Sequence, residues 1–270
     1  MSTDFVPVTT PDRRRPLRFL WRAPLLLVHI LLGILLALIV GASGDAVMRD
    51  GRPPFSHRLI RWWSRMLLRI FGMRPICVGQ PLNDAVLFVA NHTSWIDVVM
   101  LHSQRAACFV AKSEIAGWPL VGWMASSAGT IFHRRGNNHS LSAVMQVMVE
   151  RLRAGRSVAV FPEGGSGYNG VLKVFHARIF QAALDAPVPV QPVALRFARN
   201  GVRILDAGFR VNESFVHNIL RLLGGAPMDA EVHFLTPVPA SPDARRRMAE
   251  QSRERIAGAL GDPLVGDVVE

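Results

Sequence analysis

The hydrophobic pattern of this chain changes character three times, and each change predicts a different kind of element. Residues 23–42, APLLLVHILLGILLALIVGA, are twenty positions without a formal charge. As a helix, that run matches a hydrocarbon core ~30 Å thick. His29 within it reads as a tolerated polar residue. Residues 59–73, LIRWWSRMLLRIFGM, then interleave Trp62, Trp63, Leu67 and Phe71 with Arg61, Arg65 and Arg69. That mixture, straight after the apolar run, predicts an amphipathic helix in the headgroup layer rather than a core helix with a basic face. From residue 75 short β-rich runs alternate with helical spacing. Strands are predicted at 76–78, 86–90, 108–111, 130–132, 158–161, 188–195, 202–205 and 231–235, and helices at 141–153 and 175–184. A last helix starts at Ser241-Pro242-Asp243, an N-cap with Pro at the first helical position, and stops at Gly261. Its many arginines predict a solvated closing helix.

Strands alternating with helices predict an α/β fold, a mixed, mostly parallel sheet flanked by helices, behind an N-terminal membrane-anchoring segment. The expected divisions are a basic tail over 1–22, an anchor with its interfacial helix over 23–73, the α/β domain over 74–240, and a closing helix and tail over 241–270.

Composition narrows the partners. At 270 residues the chain can build one substantial core. A net charge of +11 points to nucleic acid or an anionic lipid surface. A hydrophobic fraction of 50% and a mean hydropathy of +0.23 decide for the membrane. Aromatic-spaced basic repeats are missing, so no nucleic-acid partner is expected. Cys77 and Cys108 are the only cysteines, too few for a disulfide framework or a CxxC metal site, which suits a reducing compartment. Arg13, Arg14, Arg15, Arg18 and Arg22 precede the apolar run as in a secretory signal. The run is longer than a usual signal core, and Gly44-Asp45-Ala46 is a poor cleavage site, so a retained anchor is expected. Further arginines beyond the run leave its orientation open.

The chemistry-bearing residues sit at the ends of predicted strands. Residues 86–97 read VLFVANHTSWID, an apolar strand that delivers Asn91 and His92 to a sheet edge, followed by the start of a buried helix. Five residues along a helix span about 140°, so His92 and Asp97 meet only if His92 lies in the turn and Asp97 in the first helical turns. That is the geometry of a base held by an orienting carboxylate. A lone His-x4-Asp is weak by itself, and its company raises it. Residues 129–135, GTIFHRR, put Arg134 and Arg135 just after a strand, where guanidinium forks can hold a phosphate. Residues 160–167, VFPEGGSG, run an apolar strand into Glu163 and three glycines, a loop that allows close backbone approach to an anion. Residues 188–195, VPVQPVAL, form a Pro-punctuated apolar strand.

In this order the four stretches resemble the PlsC-like lysophospholipid acyltransferase family, which includes the 1-acylglycerol-3-phosphate acyltransferases. Asn91-His92 to Asp97 match NHxxxxD; Gly129, Phe132 and Arg135 match GxxFxxR, with Arg134 extra; Phe161-Pro162-Glu163-Gly164 match FPEG; residues 188–194 match VPV-x-PVA. The resemblance covers about 61–235. It implies a membrane-bound enzyme that moves a fatty acyl chain from acyl-CoA or acyl-ACP, with no other cofactor, to the sn-2 hydroxyl of 1-acylglycerol 3-phosphate, giving phosphatidic acid. His92 and Asp97 are then the catalytic residues. Asn91, Phe132, Arg134, Arg135, Glu163, Gly164, Gly165 and Lys173 form the substrate site, and no metal is implied.

One departure bears on the acceptor. The family's third block continues FPEGTR, whereas this chain has Gly165 and Ser166 there. The missing Arg helps bind the acceptor's phosphate in the family, and Lys173 can supply part of that charge. Related bacterial enzymes acylate lyso-ornithine lipid, which has no phosphate, and this N-terminal layout resembles theirs. The chain has no GxSxG, in keeping with direct attack by the acceptor hydroxyl rather than an acyl-enzyme. Cytosolic donors imply a catalytic domain on the cytoplasmic face of the cell inner membrane, against an anionic leaflet. The rival from another class is a non-catalytic lipid-binding scaffold, which would need neither member of the His92/Asp97 pair.

Overall fold

The structure, a computed structural model, describes residues 12–43, 54–134, 138–165, 171–239 and 245–261. Two N-terminal helices, α1 (Arg15–Ser43) and α2 (Phe55–Ile70), lead into strands β1 (Met73–Val78) and β2 (Leu87–Ala90) and helix α3 (Ile96–Gln104). Then come β3 (Cys108–Lys112), the short helices α4 (Ser113–Ala116) and α5 (Val121–Ser127), β4 (Ile131–His133), α6 (Asn138–Arg153) and β5 (Val158–Val160). A 3-10 turn (Ala177–Phe180) opens into α7 (Gln181–Asp185). The chain closes with β6 (Val190–Arg199), β7 (Val202–Ile204), α8 (Phe215–Leu223), β8 (Met228–Phe234) and α9 (Arg245–Leu260).

All eight predicted strands form, in one sheet of order β1-β8-β6-β2-β5-β3-β4, with β7 paired to β6. Pairs β1–β8, β2–β6, β2–β5, β3–β5 and β3–β4 are parallel, and only β6–β8 and β6–β7 are antiparallel. The central strand β2 shows why its sequence is a continuous apolar run. Phe88 and Ala90 enter one core with α2, α3 and α8, while Leu87 and Val89 enter a second with α6, α7 and α9. A strand covered on both faces loses the hydrophobic–polar alternation. Because β2, β5, β3 and β4 run the same way, the segments leaving them emerge at one edge of the sheet.

Four expectations are corrected. Helix α2 packs one face on the domain as a core helix: Leu67, Leu68 and the following Phe71 are buried in the first core, while Phe55 and Trp62 stay exposed. Helix α9 is not a solvated helix, since Met248, Ala249, Ile256 and Leu260 face the second core. Its predicted cap at 241–243 lies outside the described residues. The predicted 175–184 helix begins as a 3-10 turn.

The fourth correction concerns His29. Helix α1 is long and apolar enough over Arg15–Ile39 to cross a membrane, but one face of it docks on the domain. The His29 ring stacks on Trp63 at 4.9 Å, and its Nε2–H donates to the Trp63 carbonyl at 3.0 Å. At Gly33 a Cβ would meet Trp63 Nε1 at 2.6 Å, so only glycine permits the approach. Buried Arg22 donates to the carbonyls of Phe71, Leu223 and Gly225 at 3.3, 3.0 and 2.9 Å. These carbonyls end α2 and α8, where helical C=O groups have no intrahelical partner. His29 is therefore a docking residue rather than a tolerated one.

Candidate active site

His92 leaves β2 in the turn before α3, and Asp97 lies in the first turn of that helix, as the five-residue spacing requires. Asp97 is fully buried. Its Oδ2 accepts from the backbone N–H of Thr93 at 2.5 Å and of Ser94 at 2.8 Å, and the Thr93 hydroxyl donates to Oδ1 at 3.2 Å. An acidic side chain reaching back to the N–H groups that open its own helix is half of a capping box. It also complements the helix dipole. His92 Nδ1 lies 3.0 Å from the same Oδ2. An ionised carboxylate only accepts, so Nδ1 carries the proton and Nε2 presents a lone pair. The imidazole is 20% exposed. It stacks on Phe161 with ring centres 4.0 Å apart and planes 15° apart, which fixes its plane as Asp97 fixes its tautomer.

The third motif braces this turn from β5. Glu163 Oε1 accepts from the His92 backbone N–H at 2.7 Å, and Oε2 from the Lys173 N–H at 3.0 Å. Burial pushes the Glu163 carboxyl above its ordinary value, and those two N–H donors oppose the push. Asn91 braces from β6: its amide donates to the Leu195 carbonyl at 2.9 Å and accepts from the Leu195 N–H at 2.7 Å. Both residues were expected in the substrate site, with Glu163 either touching substrate or bracing the loop. In the structure both are buried and engage backbone: Asn91 pairs the Leu195 peptide of β6 beyond the last β2 pair, and Glu163 takes the N–H groups of His92 and Lys173 in the loops.

The remaining expected residues surround this centre unevenly. Gly164 has φ +71°, and a Cβ there would lie 2.9 Å from His176 Nε2. Gly165 follows it, half-buried, and the Lys173 side chain is exposed beside the loop. Phe132 lies in β4, paired to Ala111 of β3, and Arg134 leaves its end exposed. Arg135 and Ser166 lie outside the described residues. Sequence reasoning missed the donors Thr93 and Ser94, the stacking role of Phe161, and His176. Thr93 and Ser94 stand inside the NHTSWID motif, so an acid three residues after Ser94 was the available signal. His176 carries no local signal.

Residues 57–196 match the family model described as Acyltransferase. The chain is 34% identical over 249 residues to the lyso-ornithine lipid O-acyltransferase of Pseudomonas aeruginosa, covering 90% of this chain and 94% of that protein. It is 37% identical over 123 residues to the 1-acyl-sn-glycerol-3-phosphate acyltransferase of Neisseria gonorrhoeae, covering 44% of this chain and 48% of that one. The crystal structure of the 1-acyl-sn-glycerophosphate acyltransferase PlsC from Thermotoga maritima shares the fold, with TM-score 0.66, 19% identity, and coverage of 91% and 96%. A family match across half the chain, and a relative aligned along nearly all of it, make this protein a member of the PlsC-type acyltransferase family.

Proposed function

We propose that this acyltransferase O-acylates a lysolipid at a membrane surface, with His92 as general base and Asp97 as its orienting carboxylate. His92 Nε2 takes the proton of the acceptor hydroxyl as that oxygen attacks the thioester carbonyl of acyl-CoA or acyl-ACP. The tetrahedral intermediate collapses, the C–S bond breaks, and the imidazolium returns its proton to the departing thiolate. Asp97 stabilises the imidazolium while it exists. The observation that carries this reading is the Oδ2–Nδ1 contact at 3.0 Å with a lone pair left on Nε2. In this reading Asn91 and Glu163 hold the turn, while Phe132, Arg134, Arg135, Gly164, Gly165 and Lys173 serve the acceptor. Cytosolic donors put the domain on the cytoplasmic face of the inner membrane, and the exposed leucines of α1 support a position at the bilayer.

Lyso-ornithine lipid is the favoured acceptor. Gly165 and Ser166 stand where the family has Thr and its phosphate-binding Arg, and the relative aligned over 90% of this chain carries that name. Transfer to 1-acylglycerol 3-phosphate is the second reading, favoured by the arginines after β4 and by the Neisseria relative.

The test offers both lysolipids side by side, with labelled acyl-CoA and acyl-ACP, to membranes holding wild type or His92→Ala. Label in ornithine lipid, reduced ~10²–10⁴-fold in the variant, is the expected result. Label in phosphatidic acid alone replaces the acceptor and keeps the mechanism. Transfer that survives His92→Ala unchanged overturns it.

A further inference from the structure

At the opposite end of the sheet from His92, where β3 and β5 begin, lies a cavity of about 250 Å³. Its walls come from α2 (Ser56, His57), from α5 and the turn after it (Ser126, Gly129), and from Arg151 and Arg156 around the end of α6. Among the described residues, no Asp or Glu lines it. Arg156 Nε is buried without a hydrogen-bond partner. Arg151 and Arg156 line the cavity together with Cys108, and both pull its thiol down while burial pushes it up.

Gly129 shows that the cradle is built. It has φ +84°, and a Cβ there would lie 2.8 Å from the Arg156 guanidinium. The glycine of the second sequence motif thus serves this cavity, at the end of β4 remote from His92. Two guanidiniums lining one cavity, with no acidic side chain among its described walls, are donors suited to an oxyanion with several acceptor oxygens.

We infer that this cavity is a phosphate-binding site, separate from the acyl-transfer centre and open to a phosphate mono- or diester. Two sources share that chemistry, the headgroup of an anionic phospholipid and a soluble phosphate. The helices forming its walls also carry exposed Trp62 and Trp123, so the cavity stands beside apolar surface.

The experiment follows thermal unfolding of the full chain in neutral detergent as inorganic phosphate is added, against chloride at matched ionic strength. Phosphate at ten times its Kd is expected to raise Tm by about 3–5 °C. In Arg151→Gln/Arg156→Gln that rise should vanish. This variant keeps Arg134 and Arg135, so phosphate held at the catalytic edge would still register in it. If the double variant does not fold, Arg156→Lys keeps the charge without the fork and should raise Kd about tenfold. No rise in the wild type, or an equal rise and Kd in the variants, overturns the site. Repeating the titration in phosphatidylcholine nanodiscs with and without phosphatidylglycerol separates the sources. Loss of the phosphate effect with phosphatidylglycerol identifies a lipid headgroup, and its persistence a soluble phosphate; both support the site.

Discussion

Asp97 concentrates the residue-scale physics of the proposed centre. A carboxylate without solvent exposure is tolerated because three peptide and hydroxyl donors from Thr93 and Ser94 join the His92 N–H around it. Asp97→Asn keeps the shape, but turning an amide N–H toward His92 moves the imidazole proton to the wrong nitrogen. Acyl transfer should fall about 10³–10⁴-fold with the far-ultraviolet dichroism unchanged; a variant with near-normal kcat would refute the orienting role. A second buried residue governs stability instead. His102 packs against Phe109 with its Nδ1 unpartnered, and burial, with nearby His57 adding to it, lowers its pKa from 6.5 to about 4. The folded value is depressed, so the neutral form's stability is complete above pH 6.5 and lost as pH falls toward 4. The full loss is roughly 3 kcal/mol. His102→Leu should flatten that slope, its Tm advantage over wild type growing from pH 7 to pH 5; parallel pH profiles would count against it.

At the scale of elements, periodicity found every strand but misjudged what covered them. Leu67, Leu68 and Phe71 share α2 with its arginines, and hydropathy alone does not say which face meets a sheet. The outcome turned on β1 and α3 packing against that helix. The same holds for α9, whose arginines stand on the same helix as buried Met248 and Ile256. Arg22 links two further elements, filling the orphan carbonyls that end α2 and α8. Gly72, at φ +74°, makes room for its guanidinium. Arg22→Ala should cost about 2–3 kcal/mol in thermal unfolding, the scale of hydrogen bonds to a charged donor. An unchanged Tm would mean that α1 is only tethered to the domain.

At the scale of the whole molecule, parallel pairing gathers the chemistry at one edge. The segments after β2 and β5 meet as His92 on Phe161 although 69 residues separate them, because those strands are neighbours in register. The opposite edge gathers Arg151, Arg156 and Gly129 for the same topological reason. On the outside, α1 packs against α2, α5 and α8 and leaves Leu25, Val28, Leu31 and Leu35 exposed. Trp118 on the α4–α5 connection touches Phe215 of α8, extending an apolar surface suited to meeting lipid.

By itself the sequence determined the strand positions, the α/β class, the His92–Asp97 pairing and the family, because each is written in local spacing or in ordered motifs. The roles of Asn91 and Glu163 were not legible there. An amide or carboxylate beside a motif can face substrate or backbone, and only the position of Leu195, His92 and Lys173 in space decides between them. His29 and Gly129 were settled the same way, by partners 34 and 27 residues distant, Trp63 and Arg156. Local spacing encodes elements through backbone geometry, whereas the purpose of a buried polar group depends on which distant peptide or charge the fold brings within about 3 Å.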